Sequence, residues 1–268
     1  MSETEFQVDD MALAHKLADA ARPIALQFFR AAIAVKAKPG QEFDPVTAAD
    51  VGVESALREI LSQARPGDGI QGEEGAEVEG STGRRWVLDP IDGTRAFIAG
   101  LPTWTVLIAL CESTGPVLSV IDQPFTGERF SGHAKGPAWL DRDGERSSLS
   151  TRAHVTSIQD AIFTTTDPGL FDEREAPVLA ALAASSKVRR YGLDAYGYAA
   201  LAMGGIDLVV ESGLKPWDVA ALVPVVQGAG GQITNWRGEP CHDGGQVVAS
   251  ANAQLHAEAL EVLQHAAR

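Results

Sequence analysis

The order of strand-like and helix-like runs constrains this chain most. Residues 86–88, 104–111, 117–121 and 128–132 are rich in branched and aromatic side chains and are separated by glycine and proline turns, which predicts neighbouring antiparallel strands. Asp143-Gly144 marks the turn of a further hairpin. From about residue 161 the pattern changes. Strands at 161–165, 188–191, 206–211, 231–235 and 246–249 alternate with helices near 173–184, 196–203, 216–228 and 253–265. Ahead of both regions, residues 10–33 carry Leu13, Leu17, Ile24 and Phe28 at helical spacing. A second helix carries Val53, Ala56, Leu57, Ile60 and Leu61 and stops before Pro66-Gly67. An antiparallel half followed by an alternating half predicts an α+β fold of stacked helix and sheet layers. The division falls near residue 150, with 1–150 and 151–268 packed as one unit.

Composition narrows the function. The 268 residues are 45% hydrophobic, enough for a sizeable core, and no repeat of fixed period appears. The net charge of −14, with no basic cluster beyond pairs such as Arg84-Arg85 and Arg189-Arg190, argues against a nucleic-acid partner. An anionic substrate would be repelled by this field unless bound cations reverse it locally. No run approaches the roughly 18 apolar residues of a membrane span. Met1 to Glu5 is acidic, without the basic and apolar regions of a signal peptide. Two cysteines give no disulfide framework, so a cytoplasmic location is expected. The six histidines never occur at H-x-x-x-H spacing, which disfavours zinc.

Four short elements can carry chemistry. In Trp86-Val-Leu-Asp89-Pro90-Ile91-Asp92-Gly93-Thr94, a strand runs into two carboxylates followed by a glycine and a hydroxyl. Asp89 and Asp92 can converge on a hard cation such as magnesium, and the Ile91 carbonyl between them is a further oxygen donor. If Thr94 opens a helical turn, the N–H groups of Gly93 and Thr94 face a phosphate oxygen. An ordinary Asp-Gly turn explains the same residues. Gly72-Glu73-Glu74-Gly75 offers a metal ligand and a base for water, or a solvated acidic loop. Lys215-Pro216-Trp217-Asp218 places a carboxylate at a helix start, suited to a cation or to the helix dipole alone. In Asp44-Pro45-Val46-Thr47-Ala48-Ala49-Asp50, Thr47 and Asp50 fit a capping box, and Asp50 can also take a proton from a nearby hydroxyl.

Together and in this order, these elements resemble the inositol monophosphatase family, with its G-E-E loop, its W-x-x-D-P-[IL]-D-G-T segment, a late W-D-x-A-A (Trp217 to Ala221) and the upstream D-x-V-T-x-x-D of Asp44 to Asp50. The resemblance covers roughly residues 10–265. It implies an αβαβα layered sugar-phosphatase fold, a homodimer and a small phosphomonoester substrate. It also implies two or three magnesium ions per site on Glu73, Asp89, Asp92, Asp218 and the Ile91 carbonyl. The phosphate would rest on Asp92, Gly93 and Thr94. Glu73 and the Thr94–Asp50 pair would orient and deprotonate the attacking water, with Asp44, Gly192, Asp194 and Glu211 on the substrate side.

Finer segments resemble the histidinol-phosphatase branch: residues 97–102, Ile121-Asp122-Gln123-Pro124, Tyr191-Gly192-Leu193-Asp194-Ala195-Tyr196 and Glu211 to Asp218. Leu193 and Asp194 stand where inositol-preferring members usually carry small or hydroxyl residues. Two acids beside a leaving group suit the ammonium and imidazole of histidinol better than a neutral polyol. Asp194 is alternatively a helix N-cap. Inositol-1-phosphate, or another sugar or nucleotide phosphate, is the competing substrate, and a catalytically silent metal- or phosphate-binding protein is the competing class. The presence of Glu73, Asp89, Asp92, Thr94 and Asp218 argues against the silent protein.

Overall fold

A computed structural model describes residues 3–31, 36–37 and 45–268, with side chains at 10–31 and 47–268. Helix α1 (Glu3–Phe28) starts ahead of the apolar spacing that predicted it. It ends sooner than expected, where Arg30 takes a left-handed φ of +60°. The short strands β1 (Lys36–Ala37) and β2 (Pro45–Val46) pair antiparallel, and α2 (Ala48–Ala64) follows. The next strands are β3 (Gly69–Gly72), β4 (Arg85–Asp92), β5 (Thr105–Glu112), β6 (Gly115–Gln123), β7 (Glu128–His133), β8 (Trp139–Arg142) and β9 (Glu145–Ser148), which form one sheet in that order. A short helix, α3 (Thr94–Ile98), leaves the end of β4. Only β3 runs parallel to its neighbour. The β8–β9 turn has Asp143 and Gly144 both at left-handed φ, the twist a two-residue hairpin needs.

The second half holds β10 (Ile162–Thr165), α4 (Glu175–Ser185), β11 (Val188–Tyr191), α5 (Ala195–Ala202), β12 (Leu208–Leu214), α6 (Pro216–Val219), α7 (Leu222–Gly228), β13 (Gln232–Asn235), β14 (Gly245–Ser250) and α8 (Ala253–Leu263). Its five-stranded sheet has the order β11-β10-β12-β14-β13. The single helix expected over 216–228 is divided between α6 and α7. Pro224 has no N–H to return to the Ala220 carbonyl, so the helix breaks there.

Both sheets are covered on both faces, and the two-residue period of a strand sorts their side chains into three cores. On β5, Val106, Ile108 and Leu110 join α1 and α2, whereas Leu107, Ala109 and Cys111 join α5 and α7. On β12 and β14, Val209, Val247 and Ala249 face that same middle core, while Leu208, Val210 and Val248 face α4 and α8. The layers therefore run helix, sheet, helix, sheet, helix. Burial on both faces explains why these strands read as continuous apolar runs. No helix among the described residues is long and apolar enough to cross a membrane.

Candidate active site

Strand β4 does not stop at Leu88, as the sequence pattern suggests, but carries the carboxylates on itself to Asp92. In a regular strand Asp89 and Asp92, three apart, would point to opposite faces. The pairing with β5 slips between them: Asp89 lies opposite Leu107 and Asp92 opposite Thr105, so three steps on β4 answer two on β5. This one-residue bulge, at Pro90 and Ile91, returns both carboxylates to one face. Asp89 is buried and accepts the Ile91 N–H at 3.1 Å.

Asp218 joins them from α6, where its carboxylate accepts the Lys215 N–H at 2.6 Å. One ligand oxygen from each of Asp89, Asp92 and Asp218 lies within 4.8 Å of the others. Glu73 follows β3, a strand that the sequence reading missed, and lines the same cleft. Burial, followed by Glu73, Asp92, Asp218 and Asp50, holds the Asp89 carboxyl well above the usual carboxylate range. Asp92 is raised by burial, Asp194 and Asp218, against the Ala195 N–H, which donates to it at 2.7 Å. These crowded carboxyls form an oxygen-only donor set. That chemistry fits a hard divalent cation, whose charge would let these groups ionise together.

Thr94 opens α3 as expected. Gly93 precedes it at φ +78°, a conformation that favours glycine. The Thr94 hydroxyl lies 3.1 Å from the Ile91 carbonyl and 3.4 Å from Asp50 Oδ1. Asp50 Oδ2 accepts both the N–H and the hydroxyl of Thr47 at 2.8 and 2.5 Å, so the capping box and the contact with Thr94 coexist. Glu54, one turn beyond Asp50 on α2, escaped the sequence reading. It is buried and accepts the N–H groups of Glu74 and Gly75, each at 2.8 Å, clamping the loop that presents Glu73. The signal was a second acid at i+4 from Asp50, beside the apolar stripe of α2.

The cleft, about 700 Å³, continues past Gly93 to Asp194, Tyr198, Glu211 and Trp217. Glu211 is buried and accepts Thr165 Oγ1 (3.1 Å), the Thr166 N–H (2.7 Å) and Thr166 Oγ1 (2.9 Å). Burial still pushes its carboxyl up to about 8. Asp194 occupies the N-cap position of α5, yet its side chain makes no capping bond. Its backbone sits at φ +50°, ψ −143°, territory that costs a non-glycine residue about 1–3 kcal/mol. Its carboxylate, pushed up to about 6 by burial against the pull of Arg95, packs on Gly93 so closely that a Cβ there would stand 2.9 Å from Oδ2. Gly192 is exposed and is not among the residues lining the cleft. At φ +80°, its N–H on Thr166 and its carbonyl accepting from Thr103 Oγ1, it shapes the turn leading to Asp194. Asp44 lies outside the described residues.

Five alternating layers and an acidic, oxygen-rich cluster at the end of a bulged strand define a layered α+β protein with a candidate cation site. The chain belongs to the inositol monophosphatase family, whose model matches residues 7–267. That makes it a phosphatase of a metal-dependent family. It is 39% identical to the chloroplastic bifunctional phosphatase IMPL2 of Arabidopsis thaliana, over 94% of this chain and 74% of the relative. It is 36% identical to a histidinol-phosphatase of Mycobacterium tuberculosis, over 94% and 96% of the two chains. A solved inositol monophosphatase from Zymomonas mobilis is 41% identical and superposes with a TM-score of 0.85 over 98% of this chain and 100% of that one.

Proposed function

We propose that this phosphatase is magnesium-dependent and hydrolyses histidinol phosphate. The observation that carries the substrate assignment is Asp194, a non-glycine residue held at left-handed φ with no capping bond, in one cleft with Glu211. Strain of this kind persists where surrounding structure imposes it, and a substrate contact gives it a purpose. Two carboxyls raised by burial have most to gain from a cation beside them, which favours their charged forms. The match to a histidinol-phosphatase supports the same reading. The 41% identity to an inositol monophosphatase supports inositol-1-phosphate as the second reading, with Glu211 accepting from a ring hydroxyl.

In this mechanism Glu73, Asp89, Asp92, Asp218 and the Ile91 carbonyl hold two or three magnesium ions. When bound, the metal supplies charge neutralisation for the phosphate and a lowered pKa for the attacking water. The backbone of Gly93 and Thr94, with Asp92, seats the phosphoryl group. Glu73 and the Thr94 hydroxyl orient the water for in-line attack. As the water oxygen bonds to phosphorus and the ester P–O bond breaks, Glu73 takes a proton from the water and the departing alkoxide takes one from solvent, while Asp50 is within reach of the hydroxyl proton of Thr94. Positioning and neutral charge are most of what such a displacement requires. Asp194 and Glu211 hold the leaving side, and Gly192 acts through the turn that presents Asp194.

A homodimer in the cytoplasm is part of the proposal. Exposed Leu101 and Phe125, brought near one another by Arg30 over the Phe125 ring and on the Gly100 carbonyl, suit a partner surface, and two buried free cysteines suit a reducing compartment. The test is phosphate release from histidinol phosphate and inositol-1-phosphate, with magnesium and then with EDTA. A higher, magnesium-dependent kcat/KM on histidinol phosphate is expected. A preference for inositol-1-phosphate overturns the substrate assignment while leaving the metal centre intact.

A further inference from the structure

The wall that carries Glu211 is not a regular strand. β12 pairs with β14 at Glu211 opposite Val247 and next at Leu214 opposite Gly245, so three steps answer two, and Gly213 sits at φ +79°. The bulge at Ser212–Gly213 re-aims the end of β12, and residues 211–215 all line the cleft.

Behind this bulge stands Glu175, buried in the first turn of α4. Its Oε2 accepts the Asp172 N–H at 3.0 Å, an ordinary capping box. Its Oε1 has no such local reason. That oxygen accepts Ser212 Oγ and Gln246 Nε2, each at 2.7 Å, with the Arg268 guanidinium 3.6 Å away. Gln246 lies on β14 next to Gly245, opposite the bulge, and is itself fixed by donating to the Ala266 carbonyl and accepting the Arg268 N–H. A capping glutamate can do its work at the surface, where its charge stays hydrated. Burying the carboxylate is costly unless its oxygens are satisfied, and here the extra donors come from the bulge and from the strand beside it.

We propose that Glu175 is a positioning residue for substrate recognition: through Ser212 it fixes the bulge, and with it the direction from which Glu211 meets the leaving side of the ester. It rests on the assignment of Glu211 to that side. Asp218 has its own bond, from the Lys215 N–H, three residues beyond Ser212.

The experiment compares wild type, Glu175→Gln and Glu175→Ala on two esters. Histidinol phosphate reaches Glu211, and p-nitrophenyl phosphate has an aryl leaving group without a cation. Glu175→Ala is expected to raise KM for histidinol phosphate about tenfold, the worth of one good hydrogen bond, with kcat within about twofold. The constants for p-nitrophenyl phosphate stay unchanged. Glu175→Gln keeps an acceptor for Ser212 and shows a smaller rise, about threefold. Adding Ser212→Ala to Glu175→Ala raises KM no further, because both act through one contact. Thermal melts establish that each variant is folded, and the isosteric glutamine carries the test if the alanine variant does not fold. Equal losses on both esters, or an unchanged KM for histidinol phosphate, overturn the proposal. A wild type that cleaves inositol-1-phosphate but not histidinol phosphate overturns the substrate assignment alone. The same KM split is then expected with inositol-1-phosphate.

Discussion

At one end of the cleft, Asp89, Asp92 and Asp218 stand within 4.8 Å of one another and are held by short local devices: a strand bulge, a turn N–H and a capping box. At the other end, Asp194 and Glu211 depend on long-range support. Glu211 leans on Thr165 and Thr166 across the sheet, and Asp194 is forced into left-handed backbone against Gly93. In the first arrangement each carboxylate is oriented mostly by neighbours within a few residues, although Asp218 comes from a distant helix. The second needs strands and turns distant in the chain, so under the proposed function it is the end free to change with the leaving group.

This contrast breaks most easily at the metal end. Asp92→Asn is expected to lower kcat by about 10³-fold or more on every ester, because a ligand and a phosphate neighbour are lost together. Magnesium titration calorimetry should show weaker binding, and full activity in this variant would remove Asp92 from the centre. At the other end, Asp194→Gly should split function from stability. Its kcat/KM on histidinol phosphate falls by about 30-fold, as for a lost charge-assisted hydrogen bond, with little change on inositol-1-phosphate. Its melting midpoint rises as about 1 kcal/mol or more of backbone strain is released. Equal losses on both esters would show that Asp194 does not read charge.

The smallest effect concerns pH. Folding raises the Glu211 carboxyl from 4.5 to about 8, so between those values the folded protein binds more protons than the unfolded chain. Stability from this group is therefore complete below pH 4.5 and is lost as pH rises towards 8. Glu211→Gln removes the loss, and metal-free protein at pH 8 should then melt roughly 2–4 °C higher, the shift that about 1 kcal/mol produces in a chain this long. At pH 4 the two proteins should melt alike. A variant less stable at pH 8 would mean that the charged form is the one the fold accommodates.

Much of the layering was legible from the chain. The order of strand-like and helix-like runs predicted the layers, whereas the apolar run of β5 hides which side chain meets which helix layer, a sorting the two-residue period makes once the layers are in place. The capping box at Thr47 and Asp50, the Asp143-Gly144 turn and the paired carboxylates after Trp86 were equally readable, each being set by neighbours within a few residues. Strand β3 was missed since its Gly69-Ile70-Gln71-Gly72 lacks any β-rich pattern; it exists because it can pair with β4. Gly192 reads as a substrate-side residue, yet it lies in the exposed turn that leads to Asp194 and does not line the cleft.

What the sequence by itself determined is the inventory: a set of carboxylates that could serve a cation, two apolar sheets and the helices that cover them, all dictated by local propensity and by solvent. Only the tertiary structure decided that Asp89 and Asp92 share a face, that Asp194 lies against Gly93 and that Glu54 and Glu175 brace the loops in front of them. Those outcomes depend on strand register and on backbone forced from its preferred angles, and both are settled by packing between residues far apart in the chain.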